Sequence, residues 1–188
     1  IAALGDSLTA GYGLAQSDGF VPQLEEWLQA QGADAVVLNA GVSGDTTAGG
    51  LSRAAWTLTP DVDAMIVALG GNDFLRGLDP AVSKANLDGI LAAGRGAGVS
   101  MLLVGLSVGS NYGIDYKQEF EGMYGELAVK YDVPLYPDFA SGLRAAAGMQ
   151  EGMTEFLQAD GIHPNPEGVS VIVAAMGPTV LSLIADAD

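Results

Sequence analysis

The stretch "AMIVALGGND", residues 64–73, decides how the rest of the chain is interpreted. Residues 64–70 are apolar or glycine and show no alternation of apolar and polar side chains. That pattern is typical of a parallel strand covered by helices on both faces. The run then ends abruptly at Asn72 and Asp73, which are polar. We therefore interpret the stretch as a buried strand that ends in a polar loop.

Four further runs have the same character: "IAAL" (1–4), "AVVLNA" (35–40), "MLLVGL" (101–106) and the weaker "VPLYP" (133–137). Helical patterns lie between or after these runs, at 20–32, 46–58, 80–94, 115–131 and 167–187. We predict an α/β fold over residues 1–188, a single domain. The architecture expected is a three-layer α/β/α sandwich with a doubly wound, five-stranded parallel sheet of the flavodoxin-like type. Pro178 is expected to kink or divide the last helix.

Composition excludes several classes of partner. Seven Lys and Arg stand against 23 Asp and Glu, a net charge of −16. Nucleic acids and anionic membrane surfaces both need clustered positive charge, so we expect neither as a partner. No apolar run reaches the roughly 18 residues of a membrane span, and no basic segment precedes an apolar core as in a signal peptide. The chain has no cysteine, which excludes disulfides and a cysteine nucleophile.

Polar residues follow several of the predicted strands. Ser7 comes just after the first strand, Gly44 after the second and Asn72 after the third, whereas Asp160 and His163 lie in "DGIHPNPEG" (160–168). The carboxyl ends of parallel strands meet at one edge of the sheet, where open α/β folds bind ligands. We expect these loops to lie close together.

His163 is the only histidine, and a lone histidine is more often structural than catalytic. Asp160 lies three residues before it, however, and Gly161 permits a turn between them. An acid that orients a histidine, which in turn activates a serine, is the arrangement of a catalytic triad. Gly44 and Asn72 also have simpler interpretations, a helix N-cap in "SGDT" and a turn in "GND".

The sequence resembles the SGNH hydrolases, also called the GDSL esterase/lipase family. The resemblance rests on four blocks, "GDSL" (5–8), "GVSGDT" (41–46), "GGND" (70–73) and "DGIHPN" (160–165), and spans nearly the whole chain. It is closest to the bacterial acyl-CoA thioesterases, arylesterases and lysophospholipases, as "GDSLTAGYG", "GGNDFLRG" and "NYG" (111–113) indicate.

The resemblance implies a serine ester hydrolase that works through an acyl-enzyme. The acidic residues show no calcium-loop spacing and only one imidazole is present, so we expect no metal, and we expect no cofactor. The resemblance also implies that Ser7 is the nucleophile, that Asp160 and His163 complete the triad, and that Ser7, Gly44 and Asn72 form the oxyanion hole. Export to the periplasm or medium is common in the family and is the expected localisation. The substrate expected is a small-molecule ester with an acyl chain, and simple esters rank above acyl-CoA because the chain is so acidic.

The acyl chain is expected along the loops at 74–80 and 107–115. An apolar groove there would consist of Phe74, Leu75, Leu78, Val108, Tyr112 and Ile114. The alternative is that some of these side chains pack beneath the loops. Two other functions also remain open: a deacetylase acting on acetylated carbohydrate, with the same triad and a different pocket, and a non-catalytic binding module on the same scaffold.

Overall fold

The computed structural model describes residues 1–148 and 150–185. Five strands form one parallel sheet in the order β2-β1-β3-β4-β5. Their bounds are β1 Ala2–Gly5, β2 Leu38–Gly41, β3 Ala64–Ala68, β4 Ser100–Val104 and β5 Leu135–Tyr136. β1 is paired on both sides, and Gly5 lies level with Gly41 of β2 and Ala68 of β3. The ends of three strands therefore meet at one height on the edge of the sheet.

Eight α-helices connect or follow the strands in the described residues: α1 Ser7–Ala10, α2 Phe20–Ala30, α3 Thr47–Thr57, α4 Gly71–Leu75, α5 Pro80–Ala97, α6 Ile114–Tyr131, α7 Ser141–Ala147 and α8 Pro166–Ala185. Short 3-10 helices cover Gln16–Asp18 and Gln150–Phe156. α3, α5 and α6 pack on one face of the sheet, and α2, α7 and α8 on the other. The predicted three-layer α/β/α sandwich is confirmed.

Alternating side chains of the inner strands pack into two separate cores, one on each face of the sheet. Met65 and Val67 of β3 pack with α5 and α6, whereas Ala64 and Ile66 pack with α2 and α8. All four side chains are buried because helices cover both faces.

The second strand differs from its prediction. The sequence predicts a buried strand over 35–40, but β2 is a short edge strand that begins at Leu38. Val36 and Leu38 are exposed, and only Ala35 and Val37 of the apolar run are buried, in the core beside α2. Because β2 pairs with a neighbouring strand on one side only, its other edge is unpaired, unlike the edges of an inner strand.

One helix runs further than predicted, and another is continuous where a division was expected. α5 continues to Ala97 and ends at Gly98, whose φ of +73° caps the helix. α8 runs unbroken through Pro178 to Ala185, and the predicted positions 186 and 187 lie outside the described residues. α8 also has the length and composition of a membrane-spanning helix, with a mean hydropathy of 2.0, which the sequence analysis did not expect. Its side chains Ile172, Val173 and Met176 are buried in the core beside α2.

Candidate active site

Ser7 lies at the first position of α1, directly after β1. Gly5 permits this sharp transition, since a Cβ at that position would lie 1.9 Å from Thr9 Oγ1 and 3.1 Å from the Ala68 carbonyl oxygen. Asp6 caps α1, because its Oδ1 accepts a hydrogen bond of 3.0 Å from the Leu8 N–H. The strand end and the cap together hold Ser7 at the edge of the sheet.

Asp160 and His163 lie on one tight loop before α8. The loop turns at Gly161, which has a φ of +68°, in the left-handed region that glycine favours. Asp160 Oδ1 accepts the N–H groups of Ile162 at 2.9 Å and His163 at 3.0 Å, and Asp160 Oδ2 lies 2.6 Å from His163 Nδ1. The hydrogen bond from His163 has the largest effect on the pKa of Asp160, and the two backbone N–H groups add to it. Together they lower that pKa to about 2. Asp160 is therefore ionised at neutral pH.

The imidazole of His163 joins this loop to the nucleophile candidate. His163 Nε2 lies 2.9 Å from Ser7 Oγ, across 156 positions of sequence. The Asp160 carboxylate on the other side of the ring accepts a hydrogen bond from Nδ1–H, which assigns the tautomer with Nε2 free to accept. Both distances, from Asp160 to His163 and from His163 to Ser7, are within hydrogen-bonding reach.

Gly44 and Asn72 line the same cleft as Ser7, and its volume is about 240 Å³. Gly44 has a φ of +84°, and the loop around it is closed by a hydrogen bond of 3.0 Å from the Asp45 N–H to the Val42 carbonyl. Asn72 Nδ2 donates to the Asp45 carbonyl at 2.9 Å, which joins the loop after β2 to the helix after β3. Ser7, Gly44, Asn72 and His163 all line the cleft, and Asp160 lies behind His163.

Two charged side chains hold the loops of this cleft together. Arg53 donates to Asp45 Oδ2 at 2.7 Å and to the Gly5 carbonyl at 2.8 Å, so it joins the strand before Ser7 to the loop of Gly44. Asp73 is fully buried and accepts hydrogen bonds from the N–H of Thr47 and from Ser83 Oγ. Asp45 is thus held by a side chain of α3, eight positions along the chain.

Only one of the six residues predicted for an acyl groove lines the cleft, and that residue is Leu75. Phe74 and Val108 pack against the core on the α6 side, and the Phe74 ring lies 5.8 Å from that of Tyr112. The Tyr112 hydroxyl donates to the Leu75 carbonyl at 3.3 Å. Leu78 is half-buried and Ile114 is exposed. The two loops therefore meet through aromatic contacts.

Sequence reasoning missed several residues of the cleft. Its remaining lining residues are Asp6, Leu8, Tyr12, Ser43, Gly71 and Ile162. Tyr12 is the most prominent, because its ring centroid lies 4.7 Å from that of His163 at an interplanar angle of 39°. Its position in the "GDSLTAGYG" segment was the available signal. Among the described residues, no group of three or more His, Asp or Glu side chains is arranged to hold a metal ion.

Comparison with known proteins identifies relatives of the whole fold. The model of the GDSL-like Lipase/Acylhydrolase family matches residues 3–171. Esterase TesA of Pseudomonas aeruginosa is 38% identical over 182 residues, 96% of this chain and 87% of that protein. Thioesterase 1/protease 1/lysophospholipase L1 of Escherichia coli strain K12 is 34% identical over 96% of this chain and 83% of that protein.

A solved structure shows the same architecture. The psychrotrophic esterase EstA from Pseudoalteromonas sp., in a form inhibited by monoethylphosphonate, superposes with a TM-score of 0.87 at 28% identity. The match covers 98% of this chain and 97% of the EstA chain.

Proposed function

The chain belongs to the GDSL-like lipase/acylhydrolase family and is a carboxylic ester hydrolase, and from that premise we propose that Ser7, His163 and Asp160 are its catalytic triad. One observation carries the proposal: His163 lies 2.9 Å from Ser7 Oγ through Nε2 and 2.6 Å from Asp160 through Nδ1. A base and its orienting acid in this order are what a serine nucleophile needs. The catalytic unit proposed is a single domain.

The reaction follows from these positions. His163 Nε2 takes the proton of Ser7 Oγ as that oxygen attacks the acyl carbonyl carbon. The C–O bond to the leaving alcohol then breaks, and the alcohol leaves with the proton from His163. Water, deprotonated by His163, attacks the acyl-enzyme carbonyl carbon. The C–O bond to Ser7 Oγ then breaks, His163 returns the proton to that oxygen, and the acid is released. Asp160 keeps the imidazole in its working tautomer and stabilises the imidazolium.

The oxyanion of each tetrahedral intermediate is assigned to three donors, the N–H groups of Ser7 and Gly44 and the side-chain amide of Asn72. Asn72 suits this role because its hydrogen bond to the Asp45 carbonyl fixes the amide plane in the wall of the cleft. Preorganised donors of this kind contribute about 3 kcal/mol each to transition-state stabilisation.

The cleft favours esters of short acyl chains. Its volume of about 240 Å³ is below the range of about 300–1,000 Å³ in which drug-sized ligands bind. Leu8, Tyr12, Leu75 and Ile162 give it apolar walls. The net charge of −16 disfavours a polyanionic leaving group such as coenzyme A, although one relative is named a thioesterase.

The test is kcat/KM on p-nitrophenyl esters from acetyl to dodecanoyl, together with labelling by a p-nitrophenyl alkylphosphonate. We expect a maximum at acetyl to butyryl, loss of turnover in Ser7→Ala, and a phosphonyl group on Ser7 by peptide mass spectrometry. A label on another residue, or turnover in Ser7→Ala at the wild-type rate, contradicts the triad. A maximum at long chains contradicts only the acyl size. Preference for acetyl esters of sugars over aryl acetates would identify a carbohydrate deacetylase.

A further inference from the structure

A second connection joins Ser7 to the His163 loop, through residues outside the triad. The Tyr12 N–H donates to the Ser7 carbonyl at 3.1 Å. The Tyr12 carbonyl in turn accepts from Gln158 Nε2 at 2.8 Å. The Gln158 N–H then donates to the His163 carbonyl at 2.8 Å. These three hydrogen bonds link the backbone of Ser7 to the backbone of His163.

The Gln158 side chain is fitted into this connection. Its Nε2 has two N–H groups, and it donates to the Tyr12 carbonyl at 2.8 Å and to the Pro164 carbonyl at 3.0 Å. Gly13 makes room for it, because a Cβ at position 13 would lie 2.2 Å from Gln158 Oε1. Gly13 also has a φ of +76°, which a residue with a side chain rarely adopts.

The side chain of Tyr12 contacts the imidazole itself. The two ring centroids are 4.7 Å apart, within the range of favourable aromatic contacts. Tyr12 is 53% exposed and lines the cleft. The ring therefore restricts the imidazole from one side while Asp160 orients it through Nδ1.

We propose that Gln158 and Tyr12 are positioning residues that set the distance between His163 and Ser7. The inference rests on the proposed triad and adds two residues that take no part in proton transfer or bond formation. His163 and Asp160 lie on a largely exposed loop, and the Gln158 bonds hold both ends of that loop to the segment after Ser7. Small displacements matter here, since a misplacement of about 1 Å can cost a hundredfold in rate.

The test is Gln158→Glu, which keeps the shape of the side chain and removes its donor. The ionised carboxylate would face the Tyr12 and Pro164 carbonyls, so the loop should shift. We expect kcat for a p-nitrophenyl ester to fall tenfold or more and KM to stay within about twofold, because Gln158 does not line the cleft. Phosphonate labelling of Ser7 should slow by the same factor.

Gln23→Glu is the matched control. Gln23 Nε2 also bridges two backbone carbonyls from distant segments, those of Asp18 at 2.8 Å and Pro166 at 3.1 Å. A general loss of rigidity would affect both variants. We expect Gln23→Glu to keep kcat within about twofold, and an equal fall in both variants would overturn the proposal.

Tyr12 supplies a test that leaves the backbone connection in place. Tyr12→Leu should lower kcat severalfold, and Tyr12→Phe should restore it, since the phenyl ring keeps the contact with His163. Equal kcat in Leu and Phe variants would remove the ring from the proposal, and wild-type kcat in a folded Gln158→Glu would remove the connection. If Gln158→Glu does not fold, the Tyr12 pair decides the outcome. The triad is tested separately, by loss of turnover in Ser7→Ala.

Discussion

The carboxyl group of Asp6 lies 3.5 Å from the side-chain amide of Asn72, and both residues line the cleft. Asp6 is only 4% exposed, and burial raises its pKa to about 6, although the hydrogen bond from the Leu8 N–H opposes the shift. The residue that caps α1 thus has a pKa close to neutral pH, beside a proposed oxyanion donor. The protonation state of Asp6 therefore affects the free energy of unfolding.

The raised pKa of Asp6 predicts a stability that falls with rising pH. A carboxyl with a pKa of about 6 when folded and 3.8 when unfolded stabilises the fold below pH 3.8, and this contribution is lost as the pH rises through 6. The full difference is about 3 kcal/mol in the free energy of unfolding. Asp6→Asn keeps an N-cap acceptor and carries no charge, so urea unfolding at pH 4.5 and pH 8 should show a smaller decrease than in wild type.

Asp34→Asn, at an exposed position, is the control for this measurement. It should follow the wild-type dependence on pH. If the wild-type and Asp6→Asn unfolding free energies decrease equally between the two pH values, Asp6 is not the group responsible.

Asn72→Ala is expected to lower kcat by about a hundredfold to a thousandfold, the usual effect of removing one oxyanion donor. The substitution also removes the hydrogen bond to the Asp45 carbonyl, so the folded fraction is checked by circular dichroism. Asn86→Ala is a suitable comparison, because Asn86 Nδ2 donates to Thr47 Oγ1 away from the cleft. Steady-state kinetics that show equal losses in both variants would exclude the donor role.

Asp160→Asn should lower kcat by about four orders of magnitude while the fold is retained. An amide at position 160 would favour the other imidazole tautomer, in which Nε2 carries the proton and accepts none from Ser7. The ionised state matters across the working range, since the pKa of about 2 keeps Asp160 charged above pH 4. The measurement is single-turnover acylation at pH 7.

Asp79→Asn provides the comparison for Asp160→Asn, because Asp79 also accepts a backbone N–H, from Ala81, at the start of α5. Acylation rates within tenfold of wild type in Asp160→Asn would mean that the imidazole is oriented without Asp160.

Sequence patterns predicted the sheet and its covering helices, because the inner strands are apolar on both faces and the helices on one. The second predicted strand is the exception. The run at 35–38 is apolar, yet β2 begins only at Leu38, at the edge of the sheet, and both Val36 and Leu38 are exposed. The apolar character of a run predicts that it is buried, but it does not predict how many neighbouring strands it pairs with.

Three of the five residues proposed for the site, Ser7, Gly44 and Asn72, could be located because they follow the ends of β1, β2 and β3. Asp160 and His163 were indicated by their spacing and by the resemblance to the family. The contacts of Tyr12 and Gln158 could not be predicted, because they depend on the path of two loops and on the side-chain positions these allow. The acyl groove could not be predicted from the sequence for the same reason. Phe74 and Tyr112 are apolar enough to line one, but whether they face a ligand or each other depends on packing distances that no spacing in the sequence encodes.

Asp73 should matter more for stability than any other carboxylate near the cleft. It is fully buried and accepts hydrogen bonds from the Thr47 N–H at 2.8 Å, from Thr47 Oγ1 at 2.6 Å and from Ser83 Oγ at 2.9 Å. Asp73→Ala leaves these buried donors without their acceptor, which should lower the free energy of unfolding by about 2 to 4 kcal/mol. Asp115→Ala, in the exposed first turn of α6, should change it by less than about 1 kcal/mol. Urea unfolding of both variants decides the point: a decrease of less than 1 kcal/mol in Asp73→Ala would mean that the Asp45–Asn72 bond and Arg53 hold the loops unaided.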